Sequence, residues 1–161
     1  MNKVGIPSSL SYDRSKLKGM IRHFDIHLDV EKSEGSPWVG DTALMQVIHY
    51  GTSILIPGGA ESAIFILART FVAVEMIGAI IGAKPDDDAG ALETDPNAVT
   101  SQLVREFVTD VTNVRTAKSK SGVAANLLYA RAALVRIAAN QFGIDLIAHI
   151  REVAQRIPHD H

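Results

Sequence analysis

The chain has 161 residues with 16 basic and 18 acidic side chains, a net charge of −2, and 47% of its residues are hydrophobic. This length suits one domain that buries a core of its own. DNA-binding domains usually carry an excess of basic residues, so the charge balance argues against nucleic acid as a partner. The absence of cysteine excludes disulfides, thiolate metal sites and a cysteine nucleophile, and it is compatible with the cytoplasm, where we expect the protein to reside.

The first part of the chain contains one segment that fits two kinds of secondary structure. Residues 1–11, which include a glycine, a proline and a pair of serines, are expected to form a flexible arm without a signal peptide. The spacing of Leu17 and Ile21 predicts a helix, whereas apolar and polar residues alternate over 24–30 as in a half-buried strand. We favour a helix to about His23 followed by a short extended segment.

Two short elements are predicted before the middle of the chain. Asp41 is a good N-cap for a helix that ends at Gly51. The apolar run Ile54-Leu55-Ile56 is either a connector or a buried strand, so a short strand is also considered over 53–56. A turn at Pro57-Gly58-Gly59 leads into the next helix.

The segment 62–82 is apolar on all sides, since its only charged residues are Arg69 and Glu75. A helix without a polar face must be covered all round, as a core helix, an oligomer interface or a membrane span. We disfavour the span because an arginine at the centre of a bilayer costs roughly 2.5–3.5 kcal/mol. We therefore expect eight large side chains to be largely inaccessible to solvent, namely Ile64, Phe65, Leu67, Phe71, Val72, Val74, Ile77 and Ile80.

The last part of the chain is predicted to be helical almost throughout. Asp95 and Pro96 form a typical helix start, with an N-cap followed by a first-turn proline, and that helix ends near Ala117. A long alanine-rich helix follows from Gly122. Gly143 interrupts it before a final amphipathic helix.

These elements together predict one mainly α domain over residues 1–161. It is a bundle of about five helices around the central apolar helix 62–82, with one or two short strands considered near 24–30 and 53–56. Residues 158–161 are expected to form a frayed tail.

Three charged residues are predicted to lie inside this bundle. Arg131 falls at the centre of the apolar arc of its helix, between Leu127 and Phe142 on the helical wheel. Arg69 and Glu75 belong to the apolar helix 62–82. A buried charge must be paired or hydrogen-bonded, and Glu75 is the predicted partner of Arg131. Either the pair fixes how two helices dock, or the arginines form a pocket for a carboxylate or phosphate ligand.

A second candidate anion site precedes the alanine-rich helix. Lys118, Lys120 and Ser121 lie where a helix N-terminus presents free N–H groups, so they are candidates for holding a phosphate. The glycine-rich phosphate-loop pattern is missing. The plainer interpretation is a solvated turn in which Ser119 or Ser121 caps the helix.

A third candidate site lies at His23, Asp25 and His27. Histidine together with a carboxylate suits zinc or a non-haem metal, and two or three of these side chains share a face on a strand or a helix. A metal-dependent hydrolase or nuclease would then use residues 22–29. The alternative is a set of exposed polar residues on a half-buried element.

Three function classes follow from these features. The first, which we favour, is a non-enzymatic helical interaction protein that forms a homo-oligomer, most simply a two-fold dimer. The second is a binder of a small anionic ligand through buried arginines, and the third is the metal-dependent enzyme. No cofactor is predicted, and catalysis is left open.

Overall fold

The computed structural model describes residues 4–5, 14–29, 38–82, 91–92 and 97–158. The predicted mainly α fold is confirmed, with six helices in this part of the chain: α1 Arg14–His23, α2 Asp41–Thr52, α3 Ala60–Ile81, α4 Thr100–Thr116, α5 Lys120–Phe142 and α6 Leu146–Arg156. Two two-residue strands, β1 Val4–Gly5 and β2 Ala91–Leu92, pair antiparallel. Apart from β1 and Pro158, the predicted arm and tail lie outside the described residues.

The centre of the bundle is α3, which packs against α1, α2, α5 and α6, while α4 and α5 form a hairpin whose first helix also contacts α2. The middle of α3 is buried by these neighbours, from Leu67 to Val74 apart from Arg69, and again at Ile77. The prediction was wrong at Phe65 and Ile80, which are 40% and 53% exposed, and Ile64 is only half-buried. Phe65 and Ile80 lie towards the ends of α3, where the cover is only partial: the Phe65 ring still packs against that of Phe24, with 5.5 Å between the ring centres. The middle of α3 is therefore buried by other helices of the same chain.

Both strands considered at the sequence level are replaced by other structure. Residues 24–29 continue from α1 without strand pairing, because Phe24 N–H donates to Met20 O and Ile26 N–H donates to Ile21 O, each at 2.9 Å. Phe24 and Ile26 are buried as the alternation suggested, but the backbone folds back on α1. Residues 53–55 form a 3₁₀ turn that continues directly from α2.

Gly51 lies within α2 and does not end it, since the helix runs on to Thr52. A Cβ atom at this position would lie 2.3 Å from the ring of Phe107 on α4. The glycine therefore permits close contact between α2 and α4. The low helix propensity of glycine predicts a helix end at this position, whereas the absence of a side chain here serves the packing of α2 on α4.

The start of α4 also differs from the prediction. The helix begins at Thr100 with Val99 as the N-cap, rather than at Asp95 and Pro96, which lie outside the described residues. Val99 has extended backbone angles, so a helix cannot continue through it from Pro96. The N-terminus of α5 agrees with the prediction, because Ser119 caps it by accepting a hydrogen bond from Gly122 N–H at 3.1 Å.

Two helices of the bundle are long and apolar enough to cross a membrane. They are α3 and α5, with 44% and 61% of their most apolar windows buried inside the protein. The core helices of soluble proteins pass the same test, so length and composition alone do not assign either helix to a membrane.

Candidate functional site

The predicted pair between Arg131 and Glu75 is confirmed. Arg131 Nε on α5 lies 3.0 Å from Glu75 Oε1 on α3, and the arginine side chain is 1% exposed. The guanidinium carbon also lies 5.1 Å from the ring centre of Phe71. Burial raises the pKa of Glu75, and the positive charge of Arg131 lowers it in part. The pair therefore joins the two longest helices at a substantial desolvation cost.

Arg69 of α3 is not part of this pair and contacts the turn after α1 instead. Its Nη2 donates to Asp25 O at 2.8 Å, and its guanidinium stacks 3.9 Å above the ring of Tyr50. The Tyr50 hydroxyl in turn donates to His27 O at 3.1 Å. Arg69 and Tyr50 thus clamp the turn after α1, where Asp25 has a positive φ of 52°.

The second candidate anion site is engaged with groups of its own chain. The Ser121 hydroxyl lies 3.2 Å from that of Ser119, whose oxygen caps α5. The ammonium of Lys120 lies beside Gly82, so close that a Cβ there would meet it at 3.5 Å. Gly82 is the C-cap of α3, where a positive charge is favourable to the helix dipole. Lys118 is exposed.

The structure brings together two of the three candidate metal ligands. His27 Nε2 lies 2.7 Å from Asp25 Oδ1, and both side chains are largely exposed. His23 instead lines a groove beside α6. Within the described ranges, no group of three or more histidine, aspartate or glutamate side chains is placed to hold a metal ion.

A polar groove of about 510 Å³ between α4 and α5 brings Arg136 of α5 together with Glu106 and Asp110 of α4, a grouping that the sequence does not predict. Arg136 Nη2 donates to Glu106 Oε2 at 2.8 Å, and Asp110 lies one turn further along α4. Burial raises the pKa of Asp110 to about 6, with a further rise from Glu106 and a partial reduction from Arg136. Asp110 can therefore exchange a proton close to neutral pH.

A second groove, which we call the end groove, lies where α3 and α4 begin and α5 ends. Its volume is about 320 Å³, and none of its twelve described lining residues is charged. Leu55 and Ile56 project from its edge and are 51% and 68% exposed. Val99, directly before the lining residue Thr100, is a further exposed apolar side chain.

A third groove, the α6 groove, has a volume of about 440 Å³ and lies between α1, α3 and α6. Its walls are mostly apolar. Four polar side chains stand among its lining residues: His23, Glu61, His149 and Arg156.

No family model, no curated protein and no solved structure matches this chain. The geometry of the three grooves and of the buried pair is therefore the basis on which a function can be argued.

Proposed function

We propose that this chain is a helical interaction protein that assembles with a second copy of itself through the end groove. The observation that carries the proposal is the uncharged lining of this groove, with Leu55 and Ile56 exposed at its edge. Polar residues such as Thr100 and Gln141 also line the groove, but exposed large apolar side chains such as Ile56 are typical of an interaction site. The cores of protein interfaces are also depleted in charged residues.

The shape of the end groove favours a second copy as the occupant. A two-fold contact uses the same patch on both subunits, so the patch must contain both a projection and a cavity that receives it. In the proposed contact the exposed Ile56 is the projection, and the receiving cavity is lined by Ile54, Ile66 and Phe142. Stable interfaces bury about 1,200 Å² or more in total, so neighbouring exposed residues such as Val99 are expected to join the contact.

The other two function classes receive less support from the geometry. A small-anion site at Arg69 and Arg131 remains a prediction, but both guanidinium groups contact other groups of the chain. A metal-dependent hydrolase using 22–29 also remains a prediction, and His23 does not share a site with His27 and Asp25.

The test is the molecular mass in solution, measured by light scattering coupled to gel filtration. We expect the wild-type protein to have twice the chain mass of 17.3 kDa. Ile56→Glu should bring the mass down to that of one chain, because a charge buried in an apolar interface is strongly unfavourable. Ile56 is exposed, so this variant should still fold with wild-type circular dichroism.

The matched control is Thr109→Glu, which adds the same charge at an exposed position of α4 outside the end groove. The control should keep the wild-type mass. A wild-type particle of 17.3 kDa at micromolar concentration would contradict the proposal, and so would an Ile56→Glu variant that keeps the wild-type mass.

A further inference from the structure

The α6 groove combines an apolar surface with donors on its rim. Its apolar walls come from three elements: Phe24 follows α1, Ile64 and Phe65 belong to α3, and Val153 and Ile157 come from α6 and its end. The rings of Phe24 and Phe65 lie 5.5 Å apart. A volume of about 440 Å³ falls within the range of roughly 300–1,000 Å³ that is typical of small-molecule sites.

The far wall of the groove is held in place by contacts with α1. Lys16 Nζ donates to Ile157 O, and the Ile157 side chain packs so closely on Gly19 that a Cβ there would lie 2.4 Å away. On the near side, the His23 ring stands at 86° to the Phe24 ring, with their centres 4.8 Å apart. The walls are therefore fixed by packing before any ligand enters.

The polar side chains on the rim favour an anion. His23, His149 and Arg156 are nitrogen donors, and Glu61 is the single acid among the described lining residues. Arg156 approaches Glu152 only at 3.9 Å, with both side chains about two-thirds exposed. A guanidinium has five N–H donors, so a ligand carboxylate can share it with that surface glutamate.

We propose that the α6 groove binds an amphipathic anion, with an apolar chain lying on Phe24, Phe65 and Val153 and a carboxylate at Arg156, at the C-terminal end of α6. Apolar walls with a few convergent polar groups are the common design of ligand sites. Arginine is well suited to carboxylate recognition because its donors match the two oxygens. This site lies apart from the end groove and does not depend on self-association.

The test uses dodecanoate below its micelle concentration as the probe, with dodecanol as the uncharged comparison. Binding is followed by the amide resonances of the groove residues in two-dimensional NMR. Dodecanoate should bind about tenfold more tightly than dodecanol, since one charge-assisted hydrogen bond contributes on that scale. The resonances of Phe65, His149 and Ile157 should move first.

Two variants distinguish the contribution of the ligand's carboxylate to binding from that of its apolar chain. Arg156→Gln should weaken dodecanoate binding about tenfold and leave dodecanol unchanged, because it removes the charge-assisted contact. Phe65→Ser should weaken both ligands because it removes apolar contact area. The matched control is Arg105→Gln, an exposed arginine in the polar groove, which should bind both ligands like the wild type.

Three outcomes would overturn the proposal. In the first, dodecanoate does not shift the resonances of the groove residues. In the second, dodecanoate and dodecanol bind with equal affinity, and Arg156→Gln changes neither affinity. Alternatively, Phe65→Ser could abolish self-association, in which case a second copy covers the groove. The Ile56→Glu variant keeps the two proposals distinguishable, because dodecanoate should still bind to it even though its self-association is lost.

Discussion

Two arginines of α5, five residues apart, contact carboxylates in different surroundings. Arg131 meets Glu75 of α3 at 3.0 Å, and Arg136 meets Glu106 of α4 at 2.8 Å. The distances are alike, but Arg131 is 1% exposed and Arg136 is 16% exposed at the edge of an open groove. The two pairs therefore differ in their exposure to solvent, and we expect their contributions to stability to differ accordingly. The Arg131–Glu75 pair holds α3 and α5 together. The Arg136–Glu106 pair lies in an open groove beside Asp110, whose pKa is raised to about 6.

The largest expected effect is at the buried pair. Arg131→Ala should lower the free energy of unfolding by about 3–5 kcal/mol, because it leaves Glu75 buried without its counter-charge. Urea denaturation followed by the fluorescence of the single tryptophan, Trp38, measures this loss. The matched control is Arg136→Ala on the same helix, which should cost much less. Equal losses in the two variants would show that burial does not distinguish the pairs.

Replacing both Arg131 and Glu75 tests whether the buried pair contributes net stability. The double variant Arg131→Met with Glu75→Leu should recover most of the loss, because two apolar side chains of similar size carry no desolvation cost. The raised pKa of Glu75 agrees with this, since burial outweighs the attraction of Arg131. A double variant as unstable as Arg131→Ala would mean that the pair contributes net stability.

A smaller effect is expected from Asp110 in the polar groove. Its pKa rises from 3.8 to about 6 on folding, so the folded protein holds a proton that the unfolded chain releases between these values. Stability from this group therefore falls as the pH rises through that window. Asp110→Asn should raise the free energy of unfolding above pH 6 by about 1 kcal/mol, after allowance for solvent screening.

Below pH 3.8 the difference between Asp110→Asn and the wild type should vanish, because the carboxyl is protonated in both states. Urea denaturation at the two ends of the pH window measures it. The control is Glu152→Gln, at a largely exposed position of α6, which should match the wild type throughout. A difference that does not depend on pH would contradict the assignment of the raised pKa to Asp110.

The smallest effect concerns the neighbours of Asp110. Glu106→Gln should lower the pKa of Asp110, because the negative charge of Glu106 raises it in the wild type. Arg136→Gln should raise that pKa, because the positive charge of Arg136 lowers it. Each variant should change the free energy of unfolding by less than about 1 kcal/mol. Carbon-13 NMR titration of the Asp110 carboxyl measures both shifts. An unchanged pKa in both variants would mean that burial alone sets the pKa of Asp110.

The buried pair could be predicted because both residues interrupt apolar surfaces of long helices. A helical period places each side chain on a known face, and a charge on an apolar face needs a partner. The polar groove carries no such signal, since Glu106 and Arg136 lie on different helices and a charge on a polar face is ordinary. The end groove was missed for a related reason, because it forms where the ends of several elements meet.

The errors along α3 have a simple physical source. The composition of 62–82 shows that a helix needs cover, but it does not show how far the covering helices extend. The apolar segment predicts burial of Phe65 and Ile80, yet both lie towards the ends of α3, where the cover is only partial. Similarly, Asp95 and Pro96 have the local pattern of a helix start, but extended backbone at Val99 separates them from α4.

The contact between α1 and α6 has a consequence for the order in which the chain is made. Lys16 and Ile157 are separated by 141 residues in sequence, yet they are hydrogen-bonded in the fold. At about 5–20 residues per second, Lys16 is synthesised roughly 7–28 s before Ile157. During that interval the surface around Gly19 has no isoleucine to cover it. The α6 groove is therefore the last part of the bundle to be completed during synthesis.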